Sequence, residues 1–196
     1  MGTIKTLGQL KERLKLTPES NFEKEFKEIA DALFNNFVIS KGGRKFRFVE
    51  IEFYHSKTEK APITYTRTAP AGTWFFHQSG ADLTFESEGD CYGGILIRAI
   101  RELCPDSHAV CGPYKVMDLL FDQFNAFATP YNFPYVEEAS GILTEVIPEQ
   151  PEARWNLDKE KWGKDGDAAF RYFLPETEWN IERPIKYTAY PFKKKK

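Results

Sequence analysis

The sequence lacks the long apolar runs that membrane-spanning helices require. A span takes about 20 consecutive apolar residues, and no stretch of this 196-residue chain approaches that length. The N-terminal stretch also has no apolar segment of the kind found in secretory signal peptides. We therefore expect no membrane partner.

Cysteine is scarce, at three residues, and the three do not have the spacing of a zinc site. An odd number argues against a disulfide framework and favours reduced thiols in the cytoplasm. The sequence also contains neither a Gly-x-Gly-x-x-Gly motif nor a P-loop. These absences predict a cytoplasmic protein that uses no metal or other cofactor.

Aromatic residues are abundant, with 17 Phe, 9 Tyr and 4 Trp. Such side chains fill cores, and they also form the stacking pockets that bind nucleobases. A hydrophobic content of 41% and a charged content of 29% are those of an ordinary globular protein. Since no linker divides the chain, we expect one monomeric domain over residues 1–192 and a disordered basic tail over residues 193–196.

The net charge of −2 is unevenly distributed along the chain. Both ends are basic, while residues 102–150 carry one Lys or Arg against eight Asp and Glu. A basic face would favour nucleic-acid binding, because phosphate neutralisation supplies most non-specific affinity. Terminal lysines are also common in solubilising tails, so the charge leaves both interpretations open.

Hydrophobic periodicity and turn residues together predict the class of fold. The predicted elements are helices over residues 5–16, over residues 19–35 beginning near Pro18, and from Pro113 to about residue 124, a hairpin turn at residues 41–44, and a strand over residues 141–147. The pattern is typical of a mixed α+β domain in which helices flank an antiparallel sheet.

The central stretch of the chain carries the most informative polar residues. In a strand from Phe48 to Tyr54 the side chains alternate, so Glu50, Glu52 and Tyr54 share one face. The same pattern would suit a solvated face. Arg98, however, interrupts an otherwise apolar run, and an arginine in such a run is rarely buried without a partner.

The order of motifs along the chain resembles that of the 3-methyladenine (methylpurine or alkyladenine) DNA glycosylase family. The family's catalytic strand ends in Val-Glu-x-Glu-x-Tyr, which stands here at residues 49–54, and a Gly-Thr-led aromatic strand follows at residues 72–76. An apolar strand then ends at Arg98, and a Cys-Gly-Pro-Tyr motif lies at residues 111–114. The likeness covers roughly residues 26–174.

The resemblance implies a fold, an activity and a role for each matched position. The fold would be a curved, barrel-like antiparallel sheet with helices outside, and the activity would be monofunctional hydrolysis of damaged purines from DNA in base excision repair. Glu52 would activate water, and Arg98 would orient Glu52 and the nucleotide backbone, with a structural ion pair to Glu50 or Glu52 as the alternative role of Arg98. The implied base pocket comprises Tyr54, His77, Thr64 and Tyr65, and the implied contacts to the phosphate backbone come from Gly112, Tyr114 and Lys115.

Two departures from the family leave the substrate open. Ser79 stands where DNA-bound relatives have an aromatic wedge, and a serine cannot fill the gap left by an extruded base. The loop over residues 101–110 offers only Arg101 as a cation. A hydrolase or binding module for a free nucleotide or single-stranded nucleic acid is therefore an alternative.

The remaining polar residues of the central stretch receive no chemical role. We expect His55 and His108 at the surface, and a solvated hairpin turn that carries Asp82, Glu86, Glu88 and Asp90.

Overall fold

The computed structural model describes residues 3–58, 63–122, 133–154, 157 and 168–179. In this part of the chain the helices are α1 (Leu7–Arg13), α2 (Phe22–Asn36) and α3 (Pro113–Phe121), with a 3-10 turn at Glu176–Glu178. The strands are β1 (Phe37–Lys41), β2 (Arg44–His55), β3 (Trp74–His77), β4 (Gly80–Thr84), β5 (Gly93–Glu102), β6 (Ala109–Cys111), β7 (Tyr135–Glu138) and β8 (Arg171–Phe173). The predicted α+β class is confirmed, while the predicted tail at residues 193–196 lies outside the described residues.

The strands form a single antiparallel sheet in the order β3-β4-β5-β2-β1-β7. The 12-residue β2 organises it, because one of its edges pairs with β5 while the other pairs first with β1 and then with β8. The sheet curls so far that its two end strands approach each other: the Trp74 Nε1–H of β3 donates to the carbonyl oxygen of Pro134, next to β7, at 2.8 Å. The result is a half-barrel whose polar and apolar faces are distinct.

The β1–β2 hairpin is confirmed at the predicted turn. Lys41 pairs with Arg44, and the two residues between them, Gly42 and Gly43, have φ angles of +56° and +82°. Positive φ at both central positions is what a two-residue hairpin matching the strand twist requires, and glycine adopts it without a steric cost.

Helix α2 covers the apolar face of the sheet. Its Phe26 is fully buried and stacks at 4.5 Å on Phe53 of β2, so the apolar face of the helix packs against the apolar face of the strand. The predicted start near Pro18 is wrong: Asn21 is the N-cap, and its side chain accepts a hydrogen bond from the Lys24 amide at 3.2 Å. The capping side chain satisfies an amide of the first turn and so fixes the start of the helix at Phe22.

Helix α1 and helix α3 are both shorter than predicted. Thr6 and Gln9 form a reciprocal capping box that starts α1 at Leu7. Helix α3 starts at Pro113, as predicted, and the described chain leaves it after Phe121. Within the described residues no helix has the length and apolar character needed to cross a bilayer.

Two predictions about the acidic third of the chain are wrong. The strand predicted over residues 141–147 is absent there, because Ser140 and Gly141 have φ angles of +49° and +78° and Ile147 is 86% exposed. The pairing strand is β7 instead, a few residues earlier. The region expected to be a loop at residues 101–110 is a hairpin in which β6 folds back on the end of β5.

Candidate functional site

The polar face of the sheet gathers the acidic residues of β2. Glu52 lies opposite Leu96 of β5, and Leu96 lies opposite Asp82 of β4. Paired residues of antiparallel strands share a face, so Glu52 and Asp82 lie on the same side, about 10 Å apart at two strand spacings. The prediction that Glu50, Glu52 and Tyr54 share a face is confirmed, but the face is buried rather than solvated.

Glu52 is fully buried, and both Tyr54 and Arg98 donate to it. The Tyr54 hydroxyl donates to Glu52 Oε2 at 2.9 Å, and Arg98 Nη1 donates to the same oxygen at 3.2 Å. Burial, reinforced by the negative charge of Glu52, raises the pKa of Tyr54 well above its usual range. The phenol therefore stays protonated and keeps donating to the carboxylate.

Arg98 joins the two carboxylates of β2. Its Nε donates to Glu50 Oε1 at 3.2 Å while Nη1 serves Glu52, so the partner expected for a buried arginine is a pair of glutamates. Burial opposes the charge of Arg98, but the two carboxylates outweigh it and raise its pKa. Burial also raises the pKa of Glu50, although Arg98 and Arg171 act in the opposite direction.

Two further arginines complete this cluster, and sequence reasoning assigned a role to neither. Arg171 of β8 lies opposite Glu52 and places Nε at 3.0 Å from Glu50 Oε1. Arg154 places its guanidinium carbon 4.8 Å from the centroid of the Tyr54 ring and donates to the Phe53 carbonyl at 3.2 Å. The sequence signal for Arg171 was its place in the aromatic segment of residues 170–173, near the end of the stretch that resembles the glycosylase family.

A second cluster is built around Asp82. Arg67 Nη1 donates to Asp82 Oδ2 at 2.6 Å, and the two side chains are 1% and 2% exposed. Arg67 also donates to Thr64 Oγ1 and to the Tyr65 carbonyl, which fixes the loop before β3 against the sheet. The expectation of a solvated Asp82 is wrong, because its place in the middle of β4 is buried and Arg67 supplies the compensating charge.

His77 is bound on both of its ring nitrogens. Nδ1 accepts from the Ser79 amide at 3.1 Å, which leaves the proton on Nε2, and Nε2 donates to Asp82 Oδ1 at 2.9 Å. The Tyr65 ring stacks on His77 at 4.5 Å. A hydrogen bond from His77 to a base would require one of these contacts to break, whereas Tyr65 is partly exposed.

The start of α3 borders the same face. The Gly112 amide donates to the Arg98 carbonyl at 2.8 Å, and a Cβ on Gly80 would lie 2.8 Å from Pro113 Cβ. Tyr114 is 52% exposed and its hydroxyl donates to the Gln78 carbonyl, beside the β3–β4 turn. The exposed Lys115 follows Tyr114, so the residues predicted to contact phosphate lie together at the end of the helix that faces the turn.

Two further residues with a sequence-based expectation are His55 and Arg101. His55 is fully buried rather than at the surface, and burial lowers its pKa to about 4. Arg101, the cation of the shortened loop, pairs with Glu178 at 3.2 Å. In the described part of the chain no three His, Cys, Asp or Glu residues lie close enough to hold a metal ion.

The fold and site define an α+β protein with a buried carboxylate pair, and comparison with known proteins adds little to this class. No protein-family model matches the sequence. The chain is similar to a protein of Acanthamoeba polyphaga mimivirus described as "Uncharacterized protein L759", with 27% identity over 146 residues. The similarity covers 61% of this chain and 63% of the viral protein, so the chain spans less than two thirds of that relative's length.

Proposed function

We propose that the protein is a monofunctional N-glycosylase that hydrolyses the bond between a damaged purine base and its sugar in DNA. The observation that carries this proposal is the buried Glu52, to which Arg98 and Tyr54 both donate, on a strand with the Val-Glu-x-Glu-x-Tyr pattern. The substrates would be alkylated or deaminated purines, and the cellular role would be base excision repair.

The geometry is suited to activating water. In the proposed reaction Glu52 takes a proton from water, the water oxygen bonds to the anomeric carbon, and the electron pair of the broken bond leaves with the base. The fixed negative charge of Glu52 would also stabilise the oxocarbenium character of the transition state. Arg98 and Tyr54 would keep the carboxylate oriented through the whole step.

The arrangement of elements supports the finer fold assignment. An acidic strand, a short aromatic strand, a strand carrying Arg98 and a helix beginning at Gly112-Pro113 follow one another in the order of the resemblance. We infer a methylpurine-glycosylase-like sheet on this basis. Because Glu52 has no exposed surface, substrate would have to displace part of its cover, and Arg154 packs directly on the neighbouring Tyr54 ring.

A second substrate class, a free nucleotide or an unpaired strand, has its own support. The β3–β4 turn carries Ser79 and no aromatic wedge, and the cation of the 101–110 hairpin is tied to Glu178. Neither feature favours prying open a duplex, while both are compatible with a base that is already unpaired.

Replacement of the general base tests the catalytic proposal. We expect Glu52→Gln to lower single-turnover base release by on the order of a hundredfold or more, the usual worth of a positioned base. The matched change Glu50→Gln should cost much less at neutral pH, because Glu50 is bound by Arg98 and Arg171 and is not the proposed base. The assay would use hypoxanthine, ethenoadenine and alkylated purines in duplex, single-stranded and mononucleotide form.

Two outcomes would contradict the proposal. Equal losses in Glu52→Gln and Glu50→Gln would indicate a shared structural role for the pair. Equal nucleotide binding by the wild type and Glu52→Gln, with turnover in neither, would indicate a binding module on this fold.

A further inference from the structure

We propose that Arg171 is a positioning residue that neutralises Glu50 and so leaves Arg98 to orient the Glu52 carboxylate. This inference rests on the proposed function, in which the Glu52 carboxylate is the reacting group. Arg171 acts through Glu50 and Arg98.

The register of β8 places Arg171 where it can do this. Arg171 lies opposite Glu52, and Phe173 lies opposite Glu50, so both side chains of β8 point to the polar face. From there Arg171 reaches diagonally to Glu50 Oε1, at 3.0 Å from its Nε. Its guanidinium carbon is 4.5 Å from the centroid of the Phe173 ring, which limits its freedom.

Glu50 Oε1 is shared between two guanidinium groups. Arg98 Nε is 3.2 Å from this oxygen, and Arg171 Nε is 3.0 Å from it. Arg98 thus does not have to satisfy Glu50 alone, and its Nη1 remains directed at Glu52 Oε2. The second guanidinium is what allows one arginine to serve two carboxylates.

Charge balance explains why this matters. The side chains of Glu50, Glu52, Arg98 and Arg171 are 3%, 0%, 14% and 4% exposed, so these charges share a poorly solvated site, and Arg154 adds a further cation at its side. Without Arg171, the site would keep both carboxylates and lose the second guanidinium on Glu50, and like charges in one site are relieved by taking up a proton. Arg98 would then be drawn towards Glu50 and away from Glu52, which would take up that proton.

The other contact of Arg171 does not carry this role. Nη1 of Arg171 is 3.0 Å from Glu152 Oε2, but the Glu152 side chain is 55% exposed. Exposed ion pairs are weak because water screens them. We therefore expect Glu152→Gln to leave the charge state of the buried carboxylates as it is.

Carboxyl titration and pH–rate profiles of the same variants test the inference. Glu side-chain carboxyls, labelled with carbon-13, are followed by NMR in the protein without substrate, and single-turnover base release is measured over the same pH range. For Arg171→Met we expect a Glu carboxyl that titrates about 1 pH unit or more higher than in the wild type, with the acid limb of base release shifted in parallel, since a cation within about 4–6 Å moves a carboxyl by 1–3 units.

Arg47→Met is the matched control. Arg47 is also a buried arginine, on β2, and its Nη1 pairs with Glu178 at 2.6 Å, away from Glu52. This change should lower stability without moving either titration. An equal shift in Arg47→Met would show that the effect is general destabilisation and would overturn the inference.

Removing Glu50 together with Arg171 gives the sharpest comparison. Glu50→Gln alone leaves two guanidinium groups for Glu52 and should move the acid limb to lower pH. Adding Arg171→Met removes one cation together with that anion, so the net charge of the site returns to its wild-type value and the limb should move back to the wild-type position. This comparison still tests the inference if Arg171→Met alone fails to fold, because the double variant keeps the wild-type net charge of the site.

The results separate this inference from the proposed function. Unchanged carboxyl titration in Arg171→Met, or a double variant that behaves like Glu50→Gln, overturns the role of Arg171 even if the wild type releases bases. Shifted titration in a protein that releases no base supports the charge relation and overturns the glycosylase proposal.

Discussion

The buried glutamates of β2 are a poor choice for stability alone. Taking two carboxylates and their arginines out of water has a large desolvation cost, and well-packed apolar residues often stabilise a fold as well or better. The chain nevertheless buries Glu50 and Glu52 with Arg98 and gives Glu52 a second donor in Tyr54. A cluster of buried charges that costs stability is typical of functional sites, and it motivates the catalytic proposal.

His55 is a second residue whose burial has a measurable consequence. Its ring packs at 4.8 Å from Phe22 and 5.7 Å from Phe85, and Nδ1 accepts from the Lys57 amide at 3.2 Å. Burial lowers its pKa from the usual 6.5 to about 4. Between these values the unfolded chain binds a proton that the folded protein does not, so the free energy of unfolding falls as pH falls.

We expect this single residue to make the protein less stable in mild acid. The loss between pH 7 and pH 4 attributable to His55 should approach about 3 kcal/mol, as an upper bound set by 1.36 kcal/mol per pKa unit. The measurement is the free energy of unfolding in urea at both pH values for the wild type and for His55→Asn, whose amide oxygen can replace Nδ1 as an acceptor. His55→Asn should lose less on acidification than the wild type.

His108 provides the control, because it is exposed. His108→Gln should keep the wild-type dependence on pH. If His55→Asn and the wild type lose the same free energy between pH 7 and pH 4, then His55 is not the group that responds.

At the scale of elements, the loop over residues 63–67 is fastened to the sheet by one buried ion pair. Arg67 and Asp82 are joined at 2.6 Å, and a side chain in place of Gly94 would meet Arg67 Nη1 at 2.8 Å. Breaking a buried pair by removing one partner costs about 3–5 kcal/mol, because the other charge stays buried. We expect Arg67→Met to lower the free energy of unfolding by an amount in this range.

An exposed pair gives the comparison for Arg67. Lys57 and Asp90 also form an ion pair, but the Asp90 side chain is 80% exposed. Lys57→Met should cost much less than Arg67→Met in the same urea titration, because water screens the exposed pair. Similar costs for Arg67→Met and Lys57→Met would mean that burial does not set the strength of the Arg67–Asp82 contact.

The elements that could be predicted from sequence are those with a local signal. The glycine pair of the first hairpin and the apolar stripe of α2 can be recognised in the sequence without knowledge of tertiary partners. Strand β8 is three residues long, too short for a periodic pattern, and its Arg171 acquires a role only by pairing with β2. The sequence alone predicts Asp82 in a solvated turn, because no residue near it in the chain indicates that Arg67, 15 residues earlier, neutralises it.

At the scale of the whole molecule, the charges are arranged unlike those of a strong duplex binder. The acidic stretch of residues 102–150 has Lys115 as its one basic residue, and Arg101 beside it is paired with Glu178. Lys41 forms an ion pair with Asp122 and also donates to the Leu119 carbonyl at 2.8 Å. Cations engaged in this way contribute less to phosphate neutralisation than free ones.

We therefore expect weak duplex binding with a shallow dependence on salt. Each neutralised phosphate contributes about 0.9 to the slope of log affinity against log salt concentration, and we expect a slope below about 4 in magnitude. Deleting residues 193–196, which lie outside the described chain, should remove much of the duplex binding.

Ser79→Tyr, at the β3–β4 turn, should strengthen binding to a duplex with a flipped-base mimic more than to intact duplex, because the ring can fill the vacated space. The measurement is fluorescence anisotropy from 50 to 200 mM salt, and nanomolar, steeply salt-dependent duplex binding by the wild type would refute this expectation and favour duplex repair over the unpaired substrate.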